Sequence, residues 1–436
     1  MLRVDQPTPP ASSSQTVTAV AVWSAADLER RVIGGLDFAA AVVSDFGETG
    51  YADAVRPALG FGPEKVVAEA AMLAYVAHDV SASKALRDRV DALARQLEPL
   101  VRSPRALADM ALNPDQVFRR TVPHVLLTVL GHRDDAFDDF AGHQCARVLS
   151  HAVDQPATVL AERRWITGVW GRQLPTVGDA ESGTVLTHPF DLLVGSREDP
   201  YGLTHLLFYV TNFGRAATAE VGRHHDAILT DVEALVIRYL DHGDYDLVGE
   251  LLMAWPLLRQ EWSPVAAFAF RVLAHVEDEV GVLPCGNVDS ERLATLAGVE
   301  RTRYARAASY HTALVMGFLC AVGLRGDSAP PAVLVGPEYP DDAWQTLRSM
   351  IEDHRGDWLP VFDRCGEAEK RTMAPMLCGL VITQALRQQN FAAIHEALDA
   401  ARRFALAPHP LQTAATDLLR ALGAAMDVGA RYDIET

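Results

Sequence analysis

The sequence predicts an all-α protein of stacked antiparallel helical hairpins, arranged as an α/α solenoid or a toroid. Apolar residues recur at spacings of three and four along most of the chain, the period of helices with one buried face. Strand-like alternation bounded by turn residues is nearly absent, the best candidate being the short run AVLV at 332–335. Two corner sequences also resemble each other. Leu240 to Leu252 and Leu386 to Leu398 each carry a helix-ending Leu, a three-residue turn, an Asp244 or Asn390 cap, an aromatic (Tyr245, Phe391) and a Glu six residues past the cap. A cap that satisfies orphan amides beside an aromatic wedge is the grammar of an α-hairpin corner.

In chain order, residues 1–22 are rich in Pro and Ser and read as a disordered tail. An N-terminal helical region follows at 23–170. It opens with Ser24 at a capping position ahead of Leu28, Val32 and Leu36. Residues 171–199 mix Gly, Pro and acids and are expected to form a long covering loop. A central helical region spans 200–324, a Pro-rich loop 325–341, and C-terminal helical hairpins 342–430.

Composition narrows the function classes. The chain has 436 residues, 49% hydrophobic, enough for a large core, and a formal net charge of −18. That charge argues against nucleic-acid and anionic-membrane partners, which need a basic surface. Five scattered cysteines without a CxxC read as reduced thiols. The N-terminus lacks a basic segment followed by an apolar core, and the longest apolar stretch, 312–324, is too short to span a bilayer. A soluble, cytoplasmic protein is expected.

Residues 199–214 form the most unusual helix. Asp199 is placed as its cap, Pro200 in its first turn and Gly214 as its stop. Tyr201, His205, Phe208 and Asn212 share one stripe, with Thr204 beside it and Tyr209 next in sequence. A face of Tyr, His, Thr and Asn with scarcely a charge looks like the wall of a small-ligand pocket. The alternative is a buried network in which these groups satisfy one another. A second histidine, His311, stands between Tyr310 and Thr312 at the head of the most apolar segment. Burial is expected to lower its pKa and leave a neutral imidazole. His205 and His311 are the candidate acid–base pair, and Tyr201, Thr204, Phe208, Tyr209, Asn212, Tyr310 and Thr312 the candidate substrate-binding residues.

The patterns YxLTHxxFYxTxFG at 201–214 and YHTAxVMGxLCA at 310–321 resemble a bacterial all-helical family of unknown function. The resemblance is expected over 160–430, including Glu162, Arg163, Arg164, Trp165 and Trp170. It implies an Asp where this chain has Asn212, and it implies no activity.

Other motifs carry little. Asp134, Asp135 and Asp138 match the DDxxD spacing of magnesium–diphosphate enzymes. The partner motif is absent, and acids in a first helical turn complement the helix dipole. His224 and His225 point about 100° apart on a helix, so they do not ligate one ion together. No metal ligand set is assigned, and the cofactor is unknown. Arg301, Arg303 and Arg306 are read as partners for surface carboxylates. The expected function is a small-molecule-binding protein or a metal-independent biosynthetic enzyme with a buried His/Tyr/Thr pocket. The alternative is a non-enzymatic helical scaffold that binds a protein or peptide.

Overall fold

A computed structural model of the chain describes residues 22–47, 62–151, 155–175, 184–189, 191–216, 223–286, 288–326, 328–351 and 356–432. The fold is all-α. Its N-terminal helices are α1 (Ala25–Gly47), α2 (Pro63–Ala77), α3 (Lys84–Val101), α4 (Pro104–Leu112), α5 (Val117–Val129), α6 (Asp135–Leu149) and α7 (Ala157–Trp170). The central set is α8 (Glu198–Val210), α9 (His225–Asp241), α10 (Tyr245–Leu252), α11 (Ala254–Leu258), α12 (Pro264–Val280), α13 (Ser290–Thr295) and α14 (Gly298–Arg325). The C-terminal set is α15 (Asp341–Ser349), α16 (Trp358–Asp363), α17 (Glu367–Thr372), α18 (Ala374–Arg387), α19 (Phe391–Arg403) and α20 (Pro410–Tyr432).

Local chemistry sets many helix starts. Side-chain oxygens of Ser83, Ser103, Asp134, Asp244, Ser263 and Asn390 accept backbone N–H groups in the first turns of α3, α4, α6, α10, α12 and α19. Ser24 does the same through the Asp27 amide at 3.1 Å. The twin corners are present. Gly243 (φ 67°) and Gln389 (φ 56°) both take the left-handed conformation one residue before the cap. The wedge differs, however: Tyr245 is buried, whereas Phe391 is 38% exposed.

α14 lies at the centre, packed against α1, α2 and α10, so the N-terminal and central regions share one core. It is long and apolar enough to cross a membrane, but most of its apolar stretch is buried inside the protein. Glycines set its two closest approaches. A Cβ at Gly35 of α1 would lie 3.3 Å from the Gly317 Cα of α14, so the two backbones are nearly in contact. At Gly249 of α10 a Cβ would collide with Val315 of α14. The missing side chain at 249 lets α10 sit close enough to bring the next residue, Glu250, beside His311.

One expectation is corrected, and the structure locates several other sequence features. The 332–335 run forms no strand. Its polar backbone is spent on side chains, the Leu334 amide on Glu369 Oε1 (3.1 Å) and the Ala332 carbonyl on Arg271 (2.8 Å). Among the described residues the only sheet-like pairing is a single bridge between Val22 and Pro331. The tail at 1–21 and residues 176–183 and 190 of the covering loop lie outside the described residues. Described parts of that loop rest on α9, where Arg238 donates to the Leu192 and Gly195 carbonyls (3.2 and 3.3 Å). Asp138 of the DDxxD run is occupied by Trp170 Nε1 (2.6 Å), Arg172 Nε (2.8 Å) and His124 Nε2 (3.2 Å), a network tying α5, α6 and α7 together. Arg303 and Arg306 both pair with Asp45 at 3.3 Å.

Candidate functional site

The stripe on α8 places its residues as the helical spacing requires, up to a point. Tyr201, His205 and Phe208 face open space between α8, α2, α7, α10 and α14. The helix begins at Glu198 rather than at an Asp199 cap, since Arg197 holds the capping position without a side-chain bond. Arg197 is engaged elsewhere: it forms a two-pronged pair with Asp244 (2.7 and 2.8 Å) and lies 4.6 Å above the Tyr201 ring.

The space consists of two cavities. The inner one, about 660 Å³, is lined mainly by aromatic, methionine and carboxylate side chains. The outer one, about 600 Å³, is more polar and includes Tyr201, Tyr310 and Thr312. Both are lined by Lys65, Glu69, His205 and His311, so the two histidines stand where the cavities meet.

His311 lies within α14 rather than at its start, and its ring is enclosed by carboxylates. Nδ1 is 3.0 Å from Glu69 Oε2, and Nε2 is 3.3 Å from Glu250 Oε1 and 3.6 Å from Asp246 Oδ1. Carboxylates accept, so both ring nitrogens donate and the ring is an imidazolium. Burial alone would lower its pKa. Glu69, Asp246 and Glu250 outweigh burial and hold it well above the ordinary histidine value, which reverses the neutral-imidazole expectation. Burial likewise pushes Glu69 up, but His311, Lys65 at 3.4 Å and a hydrogen bond from Tyr310 bring it down to about 2. Glu250 is held below its usual range because His205, His311 and Thr204 overcome its burial. Asp246 moves the other way, raised by burial and by its neighbour Glu250.

His205 is built differently. Its Nδ1 is 2.8 Å from the Tyr201 carbonyl and 3.9 Å from Glu250 Oε2. A carbonyl can only accept, so Nδ1 carries a proton and Nε2 is turned to the cavity. The buried Thr204 hydroxyl donates to the same Glu250 Oε2 at 2.6 Å. Glu250, 3% exposed, thus offers one oxygen to each histidine. Tyr201 donates its hydroxyl to Asp246, and Thr312 donates to the other oxygen of that carboxylate at 3.3 Å. On the far wall Tyr209 stacks on Trp165 (5.2 Å between centroids) and donates to Glu162 Oε1 at 3.4 Å. Burial and Glu162 raise the Tyr209 phenol well above its ordinary value.

Two candidates do not line the cavities: Thr204, which is buried and donates to Glu250, and Asn212. Asn212 Oδ1 accepts from Trp165 Nε1 (2.7 Å) and Tyr75 Oη (2.9 Å), joining α8 to α7 and α2. Asn212 and Phe213 are both left-handed (φ 47° and 52°) where the chain leaves α8, and Asn tolerates that region better than most residues. Asn212→Ala is therefore expected to cost about 1–3 kcal/mol, while Asn212→Asp, which keeps two acceptor bonds, stays within about 1 kcal/mol. Urea denaturation of both variants checks this, and equal losses would contradict it.

Four carboxylates of the cavity walls escaped the sequence reading as site candidates: Glu69, Glu162, Asp246 and Glu250. A weak signal existed, since Glu69 is the one acid inside the apolar run VVAEAAMLAYVA of α2. Among the described residues, no group of three or more His, Cys, Asp or Glu has the geometry to hold a metal ion.

No curated protein and no solved structure matches the chain. One family does: Domain of unknown function (DUF6895) matches residues 36–321, so the chain belongs to that family. The match begins and ends earlier than the expected 160–430. It contains the residues lining both cavities and leaves α15–α20 outside.

Proposed function

We propose that this member of the DUF6895 family binds a small molecule in its paired cavities and acts on it by acid–base chemistry at His205 and His311. The observation that carries the reading is the shared carboxylate. His205 and His311, from helices far apart in sequence, approach opposite oxygens of Glu250 at the junction of two ligand-sized spaces. In this arrangement the two imidazoles differ in task. His311, kept cationic by three carboxylates, is the proton reservoir, linked to His205 through the Glu250 carboxylate that they share. His205, with Nδ1 fixed on a backbone carbonyl, presents Nε2 to a bound molecule as acceptor whenever the ring is uncharged. Glu250 couples them, since a proton leaving one ring strengthens the carboxylate's hold on the other.

Native mass spectrometry of the protein, incubated with a metabolite library, tests binding. Ala68→Phe fills part of the inner cavity wall and is expected to remove the adduct without unfolding the chain. His205→Ala is expected to keep the adduct and to lower turnover of that ligand by about 10²–10⁴-fold. Equal adducts on the parent and on Ala68→Phe would place the ligand elsewhere and defeat the reading.

A further inference from the structure

Glu162 projects from α7 into the inner cavity, and the acid–base scheme does not use it. Its surroundings are unusual for a carboxylate. Among the contacts of the described residues it has one hydrogen bond, the long 3.4 Å bond from Tyr209, and no ion pair. The adjacent arginines on α7 do not serve it. Arg163 is rotated away by the helical step and lies 4.8 Å over the Phe118 ring, and the exposed Arg164 is on the wall of a separate groove. Arg119 is exposed at the cavity rim. Burial pushes the Glu162 pKa up despite the opposing pull of His205, Tyr209, Arg119 and Arg163.

The same cavity carries π surfaces. Phe213 stacks on Phe208 (5.3 Å) and on Phe318 (6.1 Å), and Met72 and Met253 fill the wall between polar groups. Aromatic faces attract cations and also accept apolar bodies. Of the cations that line the cavity, His311 is committed to Glu69, Asp246 and Glu250, Lys65 pairs with Glu69, and Arg119 stands exposed at the rim. An anionic ligand would meet Glu69, Glu162 and Glu250 together and be repelled. A neutral ligand would leave the Glu162 charge in poorly solvating surroundings. A cation resolves both problems without Glu162 having to take up a proton.

We propose that the inner cavity takes an organic cation, a protonated amine carried on an apolar body, and that Glu162 receives the ammonium. The ammonium sits between the Glu162 carboxylate and the aromatic wall, with the apolar body among Phe208, Phe213, Phe318 and the methionines. The rest of the ligand extends past His205 and His311 towards the polar outer cavity. This assignment rests on the small-molecule reading above and supplies its ligand class.

The experiment is isothermal titration calorimetry of the full-length protein near neutral pH with matched probes. These are 2-phenylethylamine, cyclohexylmethylamine and n-hexylamine, their alcohol counterparts, and 3-phenylpropionate. At least one amine is expected to bind about tenfold or more tighter than its alcohol, with the carboxylate weakest. Glu162→Gln is expected to weaken that amine about tenfold or more and to change alcohol binding by no more than about twofold. A melting curve establishes that Glu162→Gln remains folded. Equal binding of amine and alcohol, an amine affinity unchanged in Glu162→Gln, or no amine binding overturns the assignment. If alcohols bind to the parent but not to Ala68→Phe, the cavity is a ligand site and only the cation class falls. If nothing binds here and native mass spectrometry finds no adduct, the small-molecule reading falls with it.

Discussion

His311→Ala is expected to destabilise the fold by about 3–5 kcal/mol, because it strips the shared cation from three enclosed carboxylates. Glu69, Asp246 and Glu250 would then repel one another in a cavity wall that solvates them poorly. The loss should depend on pH in a direction that the shifts determine. His311 is raised above 6.5 in the folded chain, so its contribution is fully present below that value and is lost as pH rises through the folded pKa. Glu69 is lowered from 4.5 to about 2, so its contribution is present above 4.5 and is lost as pH falls towards about 2. The deficit of His311→Ala relative to the parent should therefore be widest between about pH 4.5 and 6.5 and should narrow in strong acid and in base. Guanidinium titrations of both proteins across this range measure it. A deficit that is flat with pH would mean that the ring packs rather than pairs.

The second large effect lies outside the cavities. Asp241, the last residue of α9, is fully buried and accepts from Gln384 Nε2 (2.8 Å), Arg387 Nη1 (3.0 Å) and Trp358 Nε1 (3.3 Å). One carboxylate thereby attaches α16 and α18 to the central helices. Asp241→Ala removes the acceptor shared by a guanidinium, an amide and an indole, and is expected to cost about 3–5 kcal/mol. Hydrogen exchange should rise first in α16, α18 and α19, while α1, α2 and α14 keep their protection. A loss under about 1 kcal/mol, or uniform exchange across the chain, would show that apolar packing alone holds the C-terminal helices. Asp241→Asn is the informative companion, because it keeps one acceptor oxygen and deletes the charge that faces Arg387.

Much of the candidate wall was legible because it follows from one helix. Tyr201, His205 and Phe208 are one turn apart, and helical geometry alone sends them to one side. Asn212 broke the pattern because α8 ends at Val210, and two left-handed residues turn its side chain towards Tyr75 and Trp165. The protonation of His311 was misread because its surroundings come from α2 and α10. A rule of lowered pKa on burial omits partners that other helices bring.

The twin corners mark the division between sequence and tertiary structure. Read alone, the sequence determined the all-α class, the caps at Asp244 and Asn390, and a turn before each cap, although the helices run one residue further into the expected three-residue turns, to Asp241 and Arg387. Each depends on hydrogen bonds and backbone angles within a few residues. Both corners place a Glu six residues past the cap, and nothing local distinguishes the two. Tertiary structure decided that Glu396 faces solvent while Glu250 is buried between two histidines. The physical reason is long-range: Gly249 lets α10 close on α14, and the energy of a carboxylate depends on the charges and the water that other helices place around it.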